Sequence, residues 1–457
     1  MTLSATSRSL AVVALSAMFT TAGATNGYFT HGTGTKNKGM AGAGLASPSG
    51  SIFISNNPAS ALYGIGQLDF GLAVFTPLRS YSTSTSQANG QGGAFTIGPN
   101  SLDSDDEIFF IPHIAYGWSL SEDSALGVAF YGRGGMNTQW NGGTATFDPD
   151  GPGPAPVDTR EGTFGGGKAG VNLVQAFLDV AYAKRLNERL EVGVSAVFAV
   201  QAFEASGLSA FAGFTETFNG SGGSSLPGSL SDNGHDTSTG VGAKVGFQAQ
   251  LTPSIAVAAS YQSEISMSEF DDYSDLFADG GSFDIPANAK FGITFSPNER
   301  FSWSVDVETT AYSDIDSVGN PISNLFTCPA VNPTSTSTAG CLGGSTGAGF
   351  GWDDMTTVKL GFEYEISDQM TWRAGISRGS QPIPESEVLF NILAPGVIEE
   401  HLALGVTQRT QSGGEWNLSF MVAPEHSISG VNPFDPTQTI ELRMDQFELE
   451  VGYTWRF

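Results

Sequence analysis

Apolar and polar residues take turns along most of this chain, and that two-residue period restricts its fold more than any other feature. Phe301, Trp303, Val305 and Val307 fall on one side of an extended strand, and Ser302, Ser304, Asp306 and Glu308 on the other, because successive side chains of a β-strand point to opposite faces. The same pattern recurs in Leu190, Val192, Val194, Ala196 and Phe198 against Glu191, Gly193 and Ser195. It recurs again in Val358, Leu360, Phe362 and Tyr364 against Lys359, Gly361 and Glu363. A soluble sandwich alternates in the same way, so one row decides nothing.

The rhythm of the connections separates the two folds. About fourteen strands are expected, beginning near residues 67, 107, 125, 173, 190, 236, 254, 287, 301, 354, 369, 397, 415 and 445. Short connections carry turn chemistry, as in Ser119 to Ser124, Arg185 to Arg189, Leu251 to Ser254, Pro297 to Arg300, Ser367 to Gln369 and Gln411 to Glu415. Between them lie long connections, over roughly 77–106, 136–172, 203–235, 265–286, 313–353, 379–396 and 424–444. Short turns at one end, long loops at the other and an even strand number describe a transmembrane antiparallel β-barrel with the long loops outside the cell.

The last strand adds to this. Phe447, Leu449, Val451, Tyr453, Trp455 and the terminal Phe457 form one apolar row, with Glu448, Glu450, Thr454 and Arg456 opposite. As an ordinary sheet edge that row would aggregate. A last strand ending in Phe resembles the signal read by the outer-membrane assembly machinery of bacteria. After residue 24 no apolar run approaches the roughly 20 residues a membrane helix needs, so a membrane-embedded chain of this kind has only a closed barrel available. A mean hydropathy of -0.05 with 59 glycines and 32 phenylalanines suits a greasy outer wall around a polar lumen.

At the start of the chain Arg8 precedes an apolar run from Leu10 to Phe19, and Ala22-Gly23-Ala24 offers small residues for cleavage. Residues 1–24 are therefore expected to be an export signal, with the mature chain starting near Thr25. Export permits the only two cysteines, Cys328 and Cys341, to pair as a disulfide within a loop, while free thiols or a metal pair are the other readings. The net charge of -27 excludes nucleic acid as a partner, since phosphates require a basic surface. The acidic run Asp103, Asp105, Asp106 and Glu107 reads as solvated loop charge rather than a metal site.

Residues 25–66 do not alternate and read as a small unit ahead of the barrel, which occupies 67–457. The stretch GTGTKNKGMAGAG (Gly32 to Gly44) looks like a phosphate loop. Gly39 is followed by Met40, though, where such a loop needs Lys and then Ser or Thr. Small residues here instead permit the tight turns of a plug folded within a lumen. The opening ATNGYFTHGTGTKNKGMAGAG (Ala24 to Gly44), followed by Asn57-Pro58-Ala59 within ISNNPASALYG, resembles the start of the FadL/TodX (OmpP1) family of outer-membrane transporters for long-chain fatty acids and hydrocarbons. The resemblance implies a fourteen-strand barrel closed by an N-terminal hatch. It also implies capture of hydrophobic ligand at outer loops and sideways release into the membrane where the third strand kinks inward. Asn57, Pro58 and Ala59 match the hatch motif.

Two groups of residues are candidates for that work. Gly132, Gly134 and Gly135 weaken pairing at the end of the third strand and mark a bend or bulge, or simply the start of a loop. Arg133 between them can pair a ligand carboxylate or an acidic residue of the wall; Lys168 is a second basic candidate. The loop after strand five carries Phe203, Leu208, Phe211, Phe214 and Phe218, the last four spaced as on one helical face, and the loop after strand seven carries Phe270, Tyr273, Leu276, Phe277 and Phe283. Outer loops are normally polar, so this apolar surface reads either as a capture groove for hydrophobic molecules or as loop-on-loop packing.

Two other functions compete. A water-filled porin needs neither aromatic outer loops nor a 42-residue plug. An outer-membrane enzyme needs a nucleophile and a base within reach, and His31, His113, His235, His401 and His426 are scattered over different elements. The expected protein is thus not an enzyme, needs no cofactor, and works as a single chain among outer-membrane lipids.

Overall fold

A computed structural model describes residues 25–105, 107–148 and 156–457. The expected export signal, residues 1–24, and Asp106 of the acidic run lie outside the described residues. Fourteen antiparallel strands form the wall: β1 Gln67–Thr83, β2 Phe109–Ser121, β3 Ser124–Trp140, β4 Ala169–Asn187, β5 Leu190–Ser206, β6 Asp236–Thr252, β7 Ile255–Gln262, β8 Asn288–Asn298, β9 Phe301–Thr310, β10 Met355–Ser367, β11 Met370–Gly379, β12 Glu400–Arg409, β13 Glu415–Asn432 and β14 Asp435–Arg456. Each pairs with the next, and β14 returns to β1 in an unbroken register from Arg456 opposite Gln67 to Ile440 opposite Thr83. That last ladder closes the sheet into a barrel.

Side-chain burial is inverted relative to a soluble protein. On β14, Phe447, Leu449, Val451 and Trp455 are 41 to 44 % exposed on the outside, whereas Glu448 and Glu450 are 2 and 1 % exposed inside. The same inversion places Val194 and Phe198 outward against Glu191 and Ser195, and Val358 and Phe362 outward against Lys359. Apolar side chains on the outer face and charged ones within belong in acyl chains, not in water.

Strand starts fall within four residues of the expected positions except at the last hairpin. There β13 and β14 continue past the expected loop 424–444 and turn over Pro433 and Phe434 alone. Pro424 has no N–H to give a ladder, and the register shift between Ala423 and His426 absorbs it. Beyond the shift Ile428 faces Leu442 and Gly430 faces Ile440, so pairing resumes.

Residues 25–66 lie within the lumen, bound to wall residues on many strands. Lys36 reaches Glu415 at 2.5 Å, and Lys38 reaches Glu448 at 3.0 Å and Glu450 at 2.8 Å. Leu45 N donates to Asp306 at 2.8 Å, Ile52 N to Asp69 at 3.0 Å, and Lys244 to the Ser55 carbonyl at 2.7 Å. Asn57 accepts from Ala59 N at 3.0 Å, capping a short 3-10 helix that opens with Pro58, and donates to the Phe247 carbonyl of β6 at 3.0 Å. Wall glycines make the room for this: a Cβ on Gly246 would lie 2.2 Å from Asn57 Oδ1, and one on Gly193 would lie 2.3 Å from Ala59 N. The glycine-rich stretch holds only a four-residue helix, Thr35–Lys38, and Gly42 turns at φ +81° against the His31 carbonyl.

Candidate functional site

The wall changes character at β3. Opposite β4, Gly134 pairs with Gln175 and Gly132 with Ala176, so the register passes over Arg133 and the strand bulges there. Opposite β2, the ladder ends with Tyr131 facing His113. From Gly132 onward the freed edge of β3 turns to the N-terminal segment, where Gly134 pairs with Phe29 and Gly135 N donates to the Tyr28 carbonyl at 3.0 Å. A Cβ at Gly134 would lie 2.1 Å from Gln175 Oε1, so a larger residue there requires the Gln175 side chain to move. The wall therefore has a break between β2 and β3, crossed by Arg79 of β1, which donates to the Asn137 carbonyl at 2.6 Å.

A small inner cavity lies against this break. Phe75, Pro77 and Arg79 of β1 form one side and Gly135, Met136 and Asn137 of β3 another, with Gly27, Tyr28, Trp352, Ala394 to Gly396 and Met444 of β14 completing it. Arg133 does not enter it. Its guanidinium lies 3.4 Å from Glu308 and 3.2 Å from Gln262, with Phe29 beneath at 4.6 Å, so of its two expected partners it takes the acidic wall residue. Lys168 is exposed and lines neither cavity.

A second cavity, apolar and open at its mouth, lies among the outer loops. Of the expected groove residues, Phe203, Leu208, Phe211, Leu276 and Phe277 line it. Phe270, Tyr273 and Phe283 stand behind them, with ring centroids 5.7 Å and 4.9 Å from Phe203 and 4.9 Å from Phe277 respectively. Phe214 packs between Phe211 and Phe434 without reaching the lining. The single helical face expected over 208–218 does not form. Thr215 is extended (φ -85°, ψ 155°) and its hydroxyl caps a new helix, Glu216–Gly220, by accepting from Phe218 N, so Phe218 is turned away from the cavity.

The other half of the lining comes from loops 311–354 and 380–399, outside the expected groove: Leu342, Ala348 and Phe350 from one, Phe390 and Leu393 from the other. A signal for the second was present, because Val388, Leu389, Phe390, Ile392 and Leu393 crowd apolar residues into a supposed outer loop. Cys328 and Cys341 are joined by a disulfide, and Leu342 beside it donates to the Phe214 carbonyl at 3.0 Å, which ties loop 311–354 to loop 207–235. Ser317 is the only polar side chain among the cavity's lining residues.

The family model for outer membrane protein transport proteins (OMPP1/FadL/TodX) matches residues 13–411. This chain belongs to the FadL/TodX family. Members of that family are outer-membrane proteins, and the fold agrees: the chain is similar to the Pseudomonas putida toluene transporter TodX (15 % identity, TM-score 0.58, covering 93 % of this chain and 99 % of that one). It is also similar to a Pseudomonas aeruginosa FadL homologue (16 %, 0.61, 94 % and 100 %) and to the Ralstonia pickettii toluene transporter TbuX (15 %, 0.55, 93 % and 99 %). No curated protein sequence matches the chain. The FadL/TodX barrel described above is thus an outer-membrane transport protein whose wall break, lumen segment and outer cavity are the places to look for its path.

Proposed function

We propose that the chain carries small hydrophobic molecules, hydrocarbons foremost, from the cell exterior into the plane of the outer membrane. Ligand is captured in the outer-loop cavity, passes to the inner cavity, and leaves sideways between β2 and β3 at Gly132 to Gly135, while residues 25–66 act as the hatch that blocks the axial route. The observation that carries this is the coincidence of the inner cavity with the interrupted ladder at β3. A single aromatic ring burying about 150 Å² would gain roughly 4 kcal/mol from apolar contact alone, so the outer cavity needs no polar anchor. A hydrocarbon cargo is also in keeping with the relatives named as toluene transporters. Fatty acids are the second reading, favoured by Arg79 in the inner lining.

The test is uptake by a deletion strain or proteoliposomes offered toluene, a medium-chain alkane, oleate and a small sugar. Hydrophobic uptake without sugar uptake is expected. Valine at Gly132, Gly134 and Gly135 should abolish it while the barrel still assembles. Equal passage of sugar would instead indicate a water-filled pore, and persistent hydrophobic uptake in the valine variant would remove the lateral route.

A further inference from the structure

The outer and inner cavities are divided by one partition. Leu393 lines the first and Ala394 the second; Phe350 lines the first and Trp352 the second. Its backbone is pinned. Thr138 and Trp140 of β3 donate to the carbonyls of Leu393 (2.7 Å) and Ile392 (3.0 Å). Asn391 donates to the carbonyls of Phe350 (2.7 Å) and Glu387 (2.8 Å), and Trp352 N donates to Val318 O at 2.9 Å. Movement across the partition is therefore left to side chains.

The indole of Trp352 is the largest side chain lining either cavity, and it is 1 % exposed. Its ring packs against Tyr28 at 5.9 Å and Tyr312 at 5.3 Å. Its far edge lies over Gly396, where a Cβ would come within 2.9 Å of it. An indole has one N–H, and here it donates to Asn391 Oδ1 at 2.6 Å. Swinging the ring leaves that buried oxygen without its donor, a loss the passing ligand must offset with its own contacts. Phe283, between Phe277 of the outer lining and Tyr28 of the inner, lines neither cavity.

We infer that Trp352 is the specificity-determining residue of the path, setting the largest cross-section that passes from the outer cavity to the inner one. The inference rests on the transport reading above. Discrimination of this kind is a difference in passage between two ligands, so the ratio of two uptake rates reports it. A flat single ring needs a small displacement of the indole; a fused three-ring molecule needs the indole gone.

The experiment compares toluene with phenanthrene in vesicles holding the wild type, Trp352→Ala or Trp352→Phe. Trp352→Ala should raise phenanthrene uptake about tenfold with toluene uptake within twofold. Trp352→Phe keeps a ring but loses the tie to Asn391, and should shift the ratio the same way by about threefold, which keeps the test open if the alanine variant does not assemble. An unchanged ratio in an assembled variant overturns the role of Trp352 alone. Failure of the wild type to take up either molecule overturns the transport reading, and the inference with it.

Discussion

Lys38 holds two carboxylates in a lumen where its side chain is 3 % exposed and theirs 1 %. Its amine is what lets Glu448 and Glu450 face the same small space, and removing one partner of a buried ion pair costs about 3–5 kcal/mol. Lys38→Met should therefore loosen residues 25–66, seen as faster amide exchange in that segment and a higher ion conductance in planar bilayers; if both stay at wild-type values, the pair does not secure the segment. His31 gives the same segment a pH dependence. Burial, then the stacked imidazole of His401, then Lys38 and Lys359, hold its pKa well below the usual 6.5. The docked state thus refuses a proton that the released state accepts. Above the ordinary pKa neither state is protonated and nothing changes. As pH falls through 6.5 toward the depressed value, docking weakens by about 1.4 kcal/mol per pH unit. Opening of residues 25–66, read from amide exchange corrected for its intrinsic pH dependence, should rise as pH falls from 6.5 to 5, and His31→Gln should flatten that rise.

Among the elements, loop 311–354 is the one whose role depends most on a single bond. The Cys328–Cys341 link closes 13 residues of sequence separation, and closing a loop near that length is worth about 3 kcal/mol in the chain-entropy view. Changing both cysteines to serine should leave the barrel assembled, loosen the contact of Leu342 with Phe214, and weaken toluene binding at the outer cavity several-fold by calorimetry. Retained affinity would mean that the packing of Phe350 and Leu342 suffices. The elements also differ in how plainly the sequence announced them. Membrane strands were legible because one face of each must be apolar and the other must meet the lumen, so a two-residue period is forced on them. The bulge at Gly132 to Gly135 was legible because glycines interrupt that period. The partition of Phe350, Trp352 and Leu393 was not, since it is built by loops folding onto each other, and no local period marks a contact between residues 350 and 393. Arg133 was ambiguous for a related reason: its choice of Glu308 is settled by β9, 175 residues away.

For the whole molecule the governing fact is that apolar side chains face out. Leu404 is 62 % exposed near the middle of β12, Glu400–Arg409. Arginine at such a lipid-facing position costs about 2–4 kcal/mol near the bilayer centre. Leu404→Arg should lower the refolding free energy into phospholipid vesicles by that amount in urea titrations, and no loss would place Leu404 outside the acyl region. The lumen segment has a consequence of its own for how the barrel is held shut. It grips Asp69 on the first wall strand and Glu448 and Glu450 on the last, the two rails of the closing seam. A cork fastened to both rails is also a clasp: residues 25–66 bind the first and last strands to each other from inside, in addition to the ladder the two strands share.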